Sequence, residues 1–455
     1  MASNQTNFAE GSVSRRILEL ALPMTAAQII NLLYNMVDRM YIGRIPGTGT
    51  LALTGLGLCF PVIAIVSAFA NLFGMGGAPL CSIERGRGNV EEAEKIMGTS
   101  FAMLLLSGVA LTIAGIAVHK PVLYAFGASD ATYPYAGAYC VIYLAGTLFV
   151  MVSLGMNSFI NSQGFGRTGM MTVLIGAMLN IVLDPVFIFV LDTGVRGAAL
   201  ATVLSQFVSA LWVFHFLTGK KAILRLRWRE RRIQWKRLKD IISLGLSGFV
   251  MSITNSATQV VCNASLQAYG GDLYVGVMTI VNSVREILTM PVTGLTNGAT
   301  PVLGYNYGAG EFDRVKKAIR FVSIGCILYT AAAWLILFCF PELFIRIFND
   351  DAQMMAAAVP AIKLYFFGFF MMALQFAGQS VFVALGKAKQ AVFFSIFRKV
   401  IIVIPLTLIL PNLLGLGTDG VFLAEPVSNF IGGSASFITM LCVVWPELSK
   451  PKAGV

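Results

Sequence analysis

Hydrophobic positions along this chain fall in long blocks. Apolar runs occupy residues 15–42, 51–81, 96–118, 133–162, 169–191, 196–218, 238–268, 275–305, 317–340, 354–385, 390–411 and 419–445. Each reaches the roughly 20 residues that a helix needs to cross hydrocarbon. The pattern predicts an all-α polytopic membrane protein with twelve transmembrane helices. Inside the first run, polar residues keep a helical period. Thr25, Gln28, Asn31, Asn35 and Asp38 recur at steps of three and four in ALPMTAAQIINLLYNMVDRMYIG, which puts them on one face of a helix. Amides there can glue helices together or meet a substrate. A carboxylate costs on the order of 3 kcal/mol at mid-membrane, so Asp38 is expected to face a protein interior or a wet cavity and to be functional.

The twelve runs repeat as six and six. GGAPLCSIERGRGNVEEAEK (76–95) aligns without a gap on GATPVLGYNYGAGEFDRVKK (298–317), and GAALAT (197–202) aligns on GVFLAE (420–425). An even number of helices per copy gives both copies the same orientation, so two parallel six-helix repeats are expected, an arrangement shared with transporters. The division reads as an N-lobe over 1–219, a basic cytoplasmic linker over 220–240 and a C-lobe over 241–455.

Composition agrees. The chain is 57% hydrophobic and 12% charged, with a mean hydropathy of +0.77, whereas soluble domains are about 25% charged. The net charge of +11 sits in alternate connecting segments. Arg85, Arg87, Lys95, Arg167, the linker, Arg314 to Arg320, Lys387, Lys389, Lys450 and Lys452 form one set. Asp130, Asp192, Asp272, Asp350, Asp351 and Asp419 mark the opposite side. The positive-inside rule makes the first set and both termini cytoplasmic, and nucleic acid is excluded as a partner. The linker KKAILRLRWRERRIQWKRLKD, with Trp228 and Trp235, suits either a helix on the headgroups or a solvated connector. The first run is too long and too polar-striped for a cleaved signal. The seven cysteines are scattered and read as packing residues, without disulfide or metal spacing. With two histidines, near helix ends, an enzyme is not expected.

Candidate chemistry concentrates in the first half. Asn180 and Asp184 stand at i, i+4 in GAMLNIVLDPVFIF and share a helix face. From the rise per residue, Asp38, Asp184 and Thr202 lie about 7, 10 and 9 Å below the outer ends of their helices. Two carboxylates at one depth can share a proton, or carboxylate, amide and hydroxyl oxygens can replace the hydration shell of a hard cation. Sodium at Asp38, Asn180, Asp184 and Thr202 and a proton are thus competing occupants. The second half is less acidic. Asn255 and Gln259 stripe the seventh run, Gln375 and Gln379 the tenth. Glu286 in the eighth and Arg398 in the eleventh agree in depth and suit an ion pair, with Arg285 a competing partner for Glu286. Glu425 takes the repeat position of Thr202 and could be a second proton site.

Taken in order, these motifs resemble the MATE (multidrug and toxic compound extrusion) family over essentially the whole chain. The marks are the first-helix segment ending in Asp38, the six-plus-six hydropathy and the paired PxxxxxxGxG loops. LNIVLDP resembles the DinF branch, and GYNYGAG (304–310) its bacterial MepA/CdeA-like members. The resemblance implies a MATE/MOP-type fold of two six-helix lobes in a V. It implies alternating-access export of cationic or amphiphilic compounds across a bacterial plasma membrane in exchange for sodium or protons. It further implies an N-lobe network of Tyr34, Asp38, Asn180, Asp184 and Thr202, with the Ala198 carbonyl at the cation site. The acidic C-lobe pair of the NorM branch has no match here. No cofactor beyond the coupling ion is implied, and the chain is expected to be a monomer in the bilayer. A lipid-linked-oligosaccharide flippase of the same superfamily is the alternative, although those more often have fourteen helices and a basic cavity. A channel would need a selectivity ring or filter that two unequal halves do not supply.

Overall fold

The computed structural model describes residues 6–227, 234–348, 351–413 and 415–449. Trp228 and the neighbouring arginines of the linker, Asp350, Lys450 and Lys452 lie outside those residues. All regular secondary structure among the described residues is helical.

Helices α1 (Val13–Gly43), α2 (Gly49–Gly86) and α3 (Val90–Ala125) are each long and apolar enough to span. Helices α4 (Tyr133–Ala145) and α5 (Thr147–Ser162) form one span bent by 57° at Gly146. Helix α6 (Gly166–Pro185) continues as a π turn over Val186–Val190, and α7 (Val195–Thr218) completes the first six. Helix α8 (Trp235–Gly308) is two spans joined at Gly271, whose φ of 66° only glycine adopts readily. Then come α9 (Phe312–Cys339), the short α10 (Pro341–Arg346), and a second bent span of α11 (Ala352–Tyr365) and α12 (Phe369–Ala384) with an angle of 49°. Helix α13 (Ala388–Ile396) passes through a π stretch, Phe397–Val403, into α14 (Ile404–Ile409). The last span is α15 (Thr418–Ser428), a π turn and α16 (Ser434–Leu448). With α8 counted as two and each bent pair as one, twelve helical spans lie among the described residues.

The duplication is visible in the backbone. Gly88 (φ 80°) and Gly310 (φ 71°) end the second helix of each half, and Gly164 (φ 96°) and Gly386 (φ 72°) recur at the same separation of 222 residues. Each is a left-handed cap that a Cβ would strain. The fourth span of each half is the bent one, and the fifth carries the π stretch. Both copies therefore share irregularities that hydropathy does not encode.

The chain forms two compact units. One contains Leu22–Gly245 with the described residues before Phe8; the other contains Phe8–Ala21 with the chain from Leu246 onward. In the first, α2 packs on α3, α4 and α5, and α7 on α4, α5 and α6. The fit is close: a Cβ on Gly245 would lie 1.8 Å from the Leu72 carbonyl oxygen, the small-residue approach that membrane helices use. In the second, α12 packs on α9 and α16, and α15 on α11 and α14, around Leu266, Phe366, Phe369 and Phe422. Outward, Leu22, Ile113, Val190, Val260 and Leu328 stand exposed, as a lipid-facing surface requires.

Of the linker, residues 222–227 form an extended strap docked on the first unit, residues 235–240 are helical, and the stretch between that carries Trp228 lies outside the described residues. Ala222, Leu224 and Leu226 are buried in alternation with more exposed neighbours, the period of an extended chain. The Leu224 N–H donates to Gln163 Oε1 at 2.9 Å, and the Arg225 N–H to Glu94 Oε1 at 2.9 Å. Arg227 pairs with Glu94 at 3.2 Å, and Arg237 forks onto Glu92 at 2.8 and 3.0 Å. Helix resumes only at Trp235.

Candidate functional site

In the first unit, α6 positions the site. Asn180 and Asp184 are one turn apart and almost wholly buried. The Asn180 amide donates to Asp184 Oδ1 at 3.2 Å and to Thr202 Oγ1 of α7 at 3.4 Å. Pro185 does not end the helix; the π turn carries it onward, so Asp184 is not spent on capping a break. From α1, the buried Asp38 carboxyl lies within hydrogen-bonding reach of Asp184. The guanidinium of neighbouring Arg39 is turned onto the Phe60 ring, 4.7 Å from its centroid.

What the network lacks is donors. Asp38 Oδ1, Asn180 Oδ1 and Asp184 Oδ2 are all buried, and none accepts a hydrogen bond. Buried acceptors are ordinarily satisfied, and three oxygens left open in one place suit a proton or a hard cation with several oxygen ligands. Thr202 and Ala198 sit one turn apart on α7, both buried.

The structure also adds residues. Tyr139 of α4 is buried beside Thr202, and it stacks on Tyr143 with ring centroids 6.3 Å apart. The sequence carried a signal for them, Tyr135, Tyr139 and Tyr143 at steps of four, a repeating aromatic face on one helix. Tyr34, one turn from Asp38, is half-buried beside Tyr143. The amides of the first-helix stripe are less involved. Asn31 is exposed, and Asn35 donates to the Asn31 carbonyl at 2.7 Å; Gln28 is half-buried.

The second unit holds a different cluster. Glu425 of α15 is buried and is the carboxylate on which several cations converge. Arg398 reaches its Oε1 at 3.1 Å and also bonds Asn429. Lys399 Nζ donates to both oxygens, at 3.2 and 3.0 Å, and Arg285 stands at 3.5 Å. The expected Glu286–Arg398 pair is therefore corrected: Arg398 pairs with Glu425, and Glu286 is exposed. Depth along the helix was matched, but direction around it was not. Lys399 was missed because adjacent residues of an α-helix point about 100° apart. Here both lie in the π stretch Phe397–Val403 and both reach one carboxylate. A cavity beside them is lined by Asn255, Gln259, Asn282, Arg285, Lys399 and Glu425. Gln375 is buried elsewhere with its Oε1 unbonded, and Gln379 donates to the Ala391 carbonyl and Ser395 Oγ at 2.8 and 2.9 Å. Neither lines this cavity.

With this geometry in place, comparison with known proteins is informative. A family model described as MatE matches residues 23–186 and 248–409. The multidrug export protein MepA of Staphylococcus saprophyticus is 25% identical over 409 residues, covering 90% of each chain. MepA of Staphylococcus haemolyticus is 24% identical over 430 residues, covering 93% of each. Among solved structures, an outward-facing multidrug resistance MATE family transporter of the MOP superfamily superposes with a TM-score of 0.91 at 23% identity, over 98% of this chain and 99% of that one.

Proposed function

The chain belongs to the MatE family, and from that premise we propose that it is a secondary antiporter. In this reading it exports cationic or amphiphilic organic compounds across a bacterial plasma membrane by alternating access, in exchange for sodium or protons. Relatives that share nine-tenths of its length carry the name multidrug export protein. The observation that carries the reading is the pair of adjoining buried carboxyls, Asp38 and Asp184, with open acceptor oxygens beside Asn180 and Thr202.

The chemistry follows from charge and solvation. Two carboxylates in one water-poor site need a cation or a proton between them. A protonated pair satisfies itself through one shared hydrogen bond. A sodium ion is satisfied instead by Asp38, Asp184, the Asn180 carbonyl and the Thr202 hydroxyl, all uncharged or acceptor oxygens of suitable hardness. One proton or sodium ion takes the pair from two negative charges to one, so its binding favours whichever conformation best shelters the less charged pair. An export step that requires the emptied site is then coupled to ion movement, and linkage makes the coupling reciprocal for binding.

The reading is tested by uptake of a fluorescent organic cation into proteoliposomes of the purified chain. Uptake against a concentration gradient is expected when an opposing sodium or proton gradient is imposed and not when both are collapsed. Equal movement with and without gradients would make it a passive pathway.

A further inference from the structure

Glu286 has no part in the coupling site and none in the cluster around Glu425. It stands eleven residues past Val275, the start of the apolar run 275–305 in the second span of α8. That is about 17 Å along a helix crossing about 30 Å of hydrocarbon, and Glu286 is exposed there. Arg285, the preceding residue, points about 100° away around the helix and meets Glu425 at 3.5 Å. Among the described residues no cation pairs with Glu286.

We propose that Glu286 is a substrate-recognition residue. With Thr279 and Ser283 on the same face of α8, its carboxylate receives the charged head of the exported organic cation. The proposal rests on the export reading and adds to it a contact for the cargo in the second unit, separate from the ion site at Asp38 and Asp184.

Exposure along the helix is the first support. Between residues 275 and 305 only Thr279, Glu286 and Ile287 are exposed. The next span, α9, has the character of a lipid face: Ile324, Leu328 and Leu335 stand out at 56, 65 and 56% exposure. An ionisable side chain at mid-membrane is costly in lipid and faces the protein interior or a water-filled cavity. The window around Glu286 therefore opens onto water, through which a charged molecule can arrive.

The polarity of the window selects the sign of that charge. Thr279, Ser283 and Glu286 follow one another at steps of four and three, which is one helix face. The Thr279 hydroxyl donates to the Val275 carbonyl at 3.0 Å, and the Ser283 hydroxyl to the Thr279 carbonyl at 2.9 Å. A hydroxyl has a single hydrogen, so both spend it on the backbone and turn only lone pairs outward. Acceptor oxygens around a carboxylate suit an ammonium or a quaternary nitrogen and repel an anion. The cations nearby are drawn the other way, onto Glu425. Ile287, 41% exposed beside the carboxylate, offers apolar contact to the hydrocarbon part of an amphiphilic cation. A carboxylate kept only to tie helices together would have a partner, and the described residues give it none.

Equilibrium binding, with no gradient present, separates this contact from ion coupling. The full chain in phosphatidylcholine nanodiscs is titrated with ethidium by fluorescence polarisation, and tetraphenylphosphonium is added as competitor. The native chain is expected to bind ethidium, and tetraphenylphosphonium to displace it. Glu286→Gln keeps the shape and removes the charge, and is expected to weaken both cations about ten-fold, as loss of a charged contact does. Glu286→Asp keeps the charge and should lie closer to native than to Glu286→Gln. Native affinity in Glu286→Gln, the result for a carboxyl held protonated against lipid, would overturn the proposal. Equal weakening by Glu286→Gln and Glu286→Asp would do so too, by marking a structural role, as would failure of the native chain to bind either cation. The export reading fails on a different result, the absence of gradient-driven accumulation, whatever these affinities are.

Discussion

Replacing Glu425 by Gln should be among the most destabilising single changes in the second unit. The carboxylate is buried and meets Lys399 at 3.0 Å, Arg398 at 3.1 Å and Arg285 at 3.5 Å. At an effective dielectric of about 20, each contact is worth about 5 kcal/mol of gross attraction. The gross sum overstates the loss, since the cations repel one another and the carboxylate recovers its hydration when it leaves. Removing one member of a buried ionic cluster costs about 3–5 kcal/mol net. For a unit of about 200 residues that is a fall of roughly 10 °C in the apparent unfolding midpoint. Thermal unfolding of the purified chain, followed by tryptophan fluorescence, measures it. Deleting a cation as well should relieve part of the cost. Glu425→Gln combined with Lys399→Met should be less destabilised than the sum of the single changes, with a coupling of about 0.5–3 kcal/mol. A Glu425→Gln midpoint within 1 °C of native, or strict additivity with Lys399→Met, would refute the reasoning.

Other outcomes follow from single contacts. In the proposed coupling, sodium and protons compete for the oxygens at Asp38 and Asp184, so sodium binding is expected to strengthen as pH rises and the carboxyls give up protons. Sodium, against potassium at equal ionic strength, should raise the unfolding midpoint more at pH 8 than at pH 5.5, and Thr202→Val should shrink that effect without abolishing proton-driven transport. Glu286→Gln should leave the midpoint nearly unchanged, since its side chain is exposed and outside the Glu425 cluster; a loss of several degrees would restore a structural role. Glu94→Ala removes the acceptor that Arg225 and Arg227 share, so trypsin should cut after those arginines faster than in the native chain.

The spans and the duplication were legible because hydropathy and glycine positions are local properties. Asn180, Asp184, Thr202 and Asp38 were legible because a polar group in lipid is costly and the helical rise fixes its depth. Direction around a helix was harder to read. The depth match of Glu286 with Arg398 failed because the π stretch at Phe397–Val403 lets Arg398 and Lys399 share one carboxylate. Sequence periodicity assumes 3.6 residues per turn and is blind to such a shift. Tyr139 went unnoticed for a different reason: tyrosines at steps of four look like packing until the fold sets one of them beside Thr202. The linker carried its own clue in the alternation of Ala222, Leu224 and Leu226, overshadowed by the charge around it.

The central claim is that Asp38 and Asp184 together link ion movement to export. The most direct measurement is uptake of a fluorescent organic cation into proteoliposomes containing the native chain, Asp38→Asn or Asp184→Asn, with sodium and proton gradients imposed one at a time. Each variant should remain folded in the membrane and exchange the dye passively at equilibrium. Neither should concentrate it under either gradient, while the native chain does so under at least one. Gradient-driven accumulation at the native rate by both variants would contradict the claim.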